Sequence, residues 1–121
     1  MDKVEQINNE IKQLKAVLSK IDTTRISKQN ASDLRSFIGT FNHMFSVNHP
    51  LSVNHYRRNQ FNEINVTDGL EDLERYSASK LKQKDDHYFW DGKERLSNGI
   101  KGIIRNLEND IKELSTNNEQ L

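Results

Sequence analysis

Residues 4–21 read VEQINNEIKQLKAVLSKI, and this stretch sets the fold class. Val4, Ile7, Ile11, Leu14, Leu18 and Ile21 follow one another at alternating steps of three and four, with Lys, Gln, Glu and Asn dominating between them. An apolar stripe of that period lies along one side of a helix, and a stripe this narrow suits a coiled-coil seam. Beyond it the pattern thins: residues 22–33 offer only Ile26 and Ala31. The stripe resumes, wider, at Leu34, Phe37, Ile38, Phe41, Met44 and Phe45. The spacing predicts one helix over about 3–46 with a weakened middle. A break at the β-branched pair Thr23-Thr24 is the alternative.

The segment after it is an interruption. Ser46-Val47-Asn48-His49 recurs as Ser52-Val53-Asn54-His55 around Pro50, which removes a donor and disfavours helix at His49. Tyr56, Phe61 and Ile64 predict a short extra helix near 55–65. Thr67-Asp68-Gly69, with Glu71 following, is a helix start signal. From there Leu70, Leu73 and Leu81 share a face, and after a polar gap Leu96, Ile100, Ile103, Leu107, Ile111 and Leu114 carry a second heptad-like seam.

The two halves mirror one another. Folding back near residue 57 sets Ile7 opposite Leu107, Leu18 opposite Leu96 and Phe41 opposite Leu73. The expected fold is therefore all-α: one domain over 1–121, a long antiparallel hairpin. Its arms are 3–46 and 68–115, each about 65 Å long, joined through 47–67. Two helices bury little apolar area for their length, so such a hairpin calls for a further helix, from a partner or a second copy.

Composition narrows the chemistry. The chain has 121 residues, 18 basic and 18 acidic side chains, one proline and no cysteine. Zero net charge speaks against a general nucleic-acid binder, and Arg57-Arg58 is a slight electrostatic footprint. The absence of cysteine excludes disulfides and thiolate metal sites. No apolar run reaches the ~20 residues of a membrane span or the ~7–15 of a secretory signal. A cytoplasmic chain is expected, exported, if at all, by a route that reads no cleavable signal.

Candidate catalytic groups are few. His43, His49 and His55 recur every six residues, where helical metal ligands sit three or four apart. Asp85-Asp86-His87 places its groups on different sides of a helix. Gly99 and Gly102 lie in an apolar helix and lack the Lys-Ser/Thr of a phosphate loop, so they read as points of close helix approach. No catalytic, cofactor-binding or metal-binding residue is predicted.

Phe89-Trp90-Asp91-Gly92 is the most singular feature. It reads either as an aromatic plug where the seam is thin or as an anchor for a partner. A neutral, cysteine-free helical hairpin carrying Trp90-x-Gly92 resembles the WXG-motif superfamily of small type VII secretion proteins, in particular the YwqH-like partners of LXG toxins. Residues 3–45 and 68–114 match that layout. The family places its motif at the turn, and its export signal Tyr-x-x-x-Asp/Glu is not matched here, since Gly92 is the fourth residue after Tyr88. The resemblance implies a non-enzymatic adaptor or targeting chaperone that binds the helical N-terminal domain of such a toxin. Phe37, Phe41, Phe45, Phe61, Trp90, Gly92, Ile100, Ile103 and Leu107 are the expected partner-binding residues. The alternative is a self-assembling structural coiled coil using the same seams.

Overall fold

A computed structural model describes residues 2–48, 64–80 and 84–119, with side chains from 41 to 48, of Ile64 and beyond Ser115 left aside. All regular structure among the described residues is helical: α1 (Lys3–Thr23), α2 (Lys28–Asn48), α3 (Ile64–Ala78) and α4 (Asp86–Glu119). The all-α expectation holds. The two long arms do not, since each is interrupted once. The predicted short helix near 55–65 and most of the connection 47–67 lie outside the described residues.

Local chemistry explains the ends. Asp2 caps α1, its Oδ1 accepting from Glu5 N at 2.8 Å, with Glu5 adding an acid to the first turn. Asp2→Ala should cost about 1 kcal/mol. Thermal unfolding of that variant checks this, and an unchanged midpoint would refute it. The helix stops where the threonine pair allowed. Thr23 Oγ1 donates to Ser19 O at 2.9 Å and Thr24 Oγ1 to Lys20 O at 2.6 Å, while Thr24 turns extended at ψ 122°. Thr24 Oγ1 thereby satisfies Lys20 O, one of the four terminal carbonyls, while Thr23 makes the back-bond to the preceding turn that is common for threonine at a helix end. Ser27 then opens α2, its Oγ accepting from Asn30 N at 2.9 Å. At the other break, Ser79 Oγ donates to Asp85 Oδ2 at 2.5 Å, and Asp86 begins α4 as an acid in the first turn.

Helix α4 packs between α1 and α3, and α3 packs in turn on α2. The direction of each pair follows from its contacts. Val66 meets Gly99, Gly69 meets Leu96 and Gly92, and Tyr76 meets Phe89, so α3 and α4 are antiparallel. Asp22 accepts from Ser97, and Lys93 reaches Thr24 O, which places the C-terminal end of α1 beside residues 93–97. This register differs from the expected Leu18–Leu96 pairing by about one turn. Lys28 bonds Tyr76 O and Arg35 pairs with Glu74, and these contacts tie α2 to α3. Lys20 lies over the ring of Phe37, so the chain reverses between α1 and α2. Each arm is therefore divided, and the helices among the described residues form a four-helix arrangement in which four residues, 24–27, separate α1 from α2.

The core shows why. Helix α1 buries Ile7, Ile11, Leu14 and Ile21 as its heptads predict, but also Glu10 and Val17, while Val4 and Leu18 are only half-buried. That face is wider than a two-helix seam. Leu34, Ile38, Leu73, Phe89, Leu96 and Ile100 complete the interior. Asp72 is buried beside them and is held by Arg95 and, at 3.8 Å, by Arg75. A buried carboxylate needs such partners to offset its lost hydration.

Candidate partner-binding surface

The first two turns of α4 carry His87, Tyr88, Phe89 and Trp90. Successive helical residues point about 100° apart, so neighbouring aromatics meet different surroundings. Phe89 points inward and is fully buried, its ring 5.4 Å from that of Tyr76. Trp90 points outward and is 53% exposed, its ring edge-on to Phe89 at 5.1 Å. The plug and the anchor are thus two different residues: Phe89 fills the thin part of the core, and Trp90 stands on it. Burial and the nearby Asp86 carboxylate both raise the pKa of Tyr76, so its phenol stays protonated beneath them.

Two lysines, Lys93 of α4 itself and Lys28 of α2, secure this end of the molecule. Lys93 Nζ donates to Thr24 O at 2.8 Å and Asp22 O at 3.3 Å, and lies 5.6 Å from the ring centroids of both Phe89 and Trp90. It caps the negative end of α1 while holding the two rings from above. Lys28 does the same for α3, bonding Tyr76 O at 2.9 Å and lying 4.6 Å from the Tyr76 ring. Trp90 is therefore pre-ordered: its neighbours are fixed before anything docks on it.

Beside Thr24 the surface dips into a cleft of about 320 Å³ between the end of α1 and the start of α2. Lys20 and Arg25 bring two cations to it, and Asp33 brings one carboxylate, which accepts from Gln29 Nε2 at 2.8 Å. Phe37, 41% exposed, lies under Lys20 Nζ at 5.9 Å. Phe37 and Trp90 are the two large exposed apolar side chains among the described residues.

The residues expected to bind a partner divide sharply. Phe37 and Trp90 are at the surface. Gly92 is not: a Cβ there would lie 3.1 Å from Gly69 O and 3.2 Å from Leu73 Cδ2, so it serves the crossing of α3 with α4. Ile100, Ile103 and Leu107 are buried in the core. Phe41 and Phe45 sit on α2, but their side chains, like the whole of Phe61, lie outside the described set. Of the other conspicuous groups, Asp85 is engaged by Ser79 and His87 stacks on Tyr88 at 4.1 Å. No cluster of His, Asp or Glu suited to a metal occurs among the described residues, which leave out His49, His55 and the side chain of His43. No described helix is long and apolar enough to cross a membrane. Sequence reasoning missed Lys20, Arg25 and Lys93, whose significance comes from the reversal between α1 and α2. The chain matches no protein-family model, no characterised protein and no solved structure.

Proposed function

We propose that this chain is a non-enzymatic helical adaptor, and that its partner is the helical N-terminal domain of a type VII-secreted LXG toxin, whose export it promotes. The observation that carries the adaptor role is Trp90: a large aromatic half in water, braced by a buried phenylalanine and a bonded lysine. Rigid aromatic anchors of this kind dominate protein interfaces because little side-chain entropy remains to be lost on docking. The LXG partner rests on the Trp90-x-Gly92 resemblance. Trp90 is the fifth residue of α4, just after the chain reverses from α3, and the resembled family carries its motif at its turn. Gly92 lets α4 cross α3 closely beside Gly69.

The aromatic end, and not the heptad seams, is the binding surface in this reading. Ile100, Ile103 and Leu107 already pack within the molecule, so self-assembly through those seams would require opening the core. The test is co-purification with an LXG N-terminal domain, followed by titration of the Trp90→Ala variant. Binding should weaken by about thirtyfold, the equivalent of a 2 kcal/mol anchor, with the melting temperature little changed. Failure to form a complex, or equal affinity of the variant, would refute the proposal.

A further inference from the structure

The cleft at the α1–α2 reversal has a charge arrangement that the adaptor reading does not use. The side-chain cations of Lys20 and Arg25 have no hydrogen-bond or ion-pair partner among the described residues, Lys20 only overlying the Phe37 ring, while most cations nearby are committed. Lys28 and Lys93 bond carbonyls; Arg35 and Arg95 pair with carboxylates. The groups that would repel an anion are also engaged. Ser19 O and Lys20 O accept from the two threonine hydroxyls, and Thr24 O accepts from Lys93. Asp33 is the lone acid on the cleft wall, against two cations, and it already accepts from Gln29. The Ser27-capped start of α2 adds the positive end of a helix dipole.

We propose that this cleft receives a carboxylate side chain from the helical partner, placed between Lys20 and Arg25, with an adjacent apolar residue of the partner packed on Phe37. The inference rests on the adaptor reading and names the chemistry of the partner's face. Charge complementarity selects an acidic helix. Thr24 lines the cleft and also accepts from Lys93, whose ammonium lies 5.6 Å from the Trp90 ring, so the cleft and the tryptophan border one turn and form one surface. An apolar–acidic–apolar pattern along the partner would engage Trp90, the cleft and Phe37 in succession.

The experiment uses the full chain and two synthetic amphipathic helices, one of Leu, Ala and Glu, the other with every Glu replaced by Lys. The chain has a single tryptophan, so its emission reports docking directly. The Glu helix should bind about tenfold tighter than the Lys helix, and Lys20→Glu with Arg25→Glu should invert that preference. Both positions are exposed, so the fold should survive, as circular dichroism would show. A control, Arg105→Glu with Lys112→Glu, makes the same charge change far along α4 and should leave binding unaltered. Equal binding of the Glu helix to the wild type and the cleft variant, an equal loss in the control, or binding of neither helix would overturn the cleft assignment. Failure of the adaptor reading is distinct: the LXG domain itself would then leave the Trp90 emission unmoved.

Discussion

Phe89→Ala should lower stability by about 3–5 kcal/mol, while Trp90→Ala, one residue further on, should change it by less than about 1 kcal/mol. Phe89 has no exposed surface, and its ring touches Tyr76 and Trp90 with Lys93 above it. Truncation removes the transfer free energy of a whole ring and leaves a hole bounded by two helices, which can close only by moving α3 toward α4. The glycine contacts at their crossing already bring those helices as near as backbone permits. Since a small domain has only ~5–15 kcal/mol in all, the alanine variant should be unfolded or close to it under mild denaturant. Trp90 keeps half its surface in water in the folded state, so little is lost when it is cut back. Urea titrations followed by circular dichroism measure both. Comparable losses for the two variants would mean that the inward and outward assignments are wrong.

This pair also shows what the sequence could and could not disclose. The buried stripe of α1 and the stop at Thr23-Thr24, the alternative to a continuous helix, are local signals, and each corresponds to a buried side chain or a hydrogen bond. Two adjacent aromatics carry no such signal. Which of Phe89 and Trp90 turns inward depends on where α3 lies, a tertiary fact. The reversals had the same character. A polar gap in a heptad pattern fits either a continuous helix or a turn, and here the wider burial of α1, with Val17 and Glu10 inside, marks it as the wall of a bundle. Lys20 and Arg25 are ordinary surface cations in the sequence; only the reversal at residues 24–27 sets them at one cleft.

The glycines give the second large effect, and its sign depends on position. Gly99 was legible as a point of close approach: a Cβ there would stand 2.7 Å from Val66 Cγ2. Gly69 was not, because Thr67-Asp68-Gly69 has the form of a helix start, whereas α3 begins earlier, at Ile64, and Gly69 lies within it. A Cβ at Gly69 would fall 2.7 Å from Leu96 Cγ and 2.9 Å from Gly92 O. Leu96 is itself fully buried and has nowhere to swing, and the carbonyl belongs to the backbone of α4. The helices must separate to admit the methyl group. Gly69→Ala should therefore cost about 2–3 kcal/mol net, the strain of overpacking outweighing a helix-propensity gain of up to about 1 kcal/mol. Gly39, on the exposed side of α2, has nothing within 4 Å of its would-be Cβ. Gly39→Ala should add about 0.5–1 kcal/mol, since propensity acts there unopposed. The two midpoints should move in opposite directions in thermal melts of otherwise identical proteins. Adding Leu96→Ala to Gly69→Ala should recover part of the strain, which a double-mutant cycle would read as non-additivity. A Gly69→Ala protein as stable as the wild type, or a cycle that closes additively, would show that α3 and α4 do not cross at these glycines.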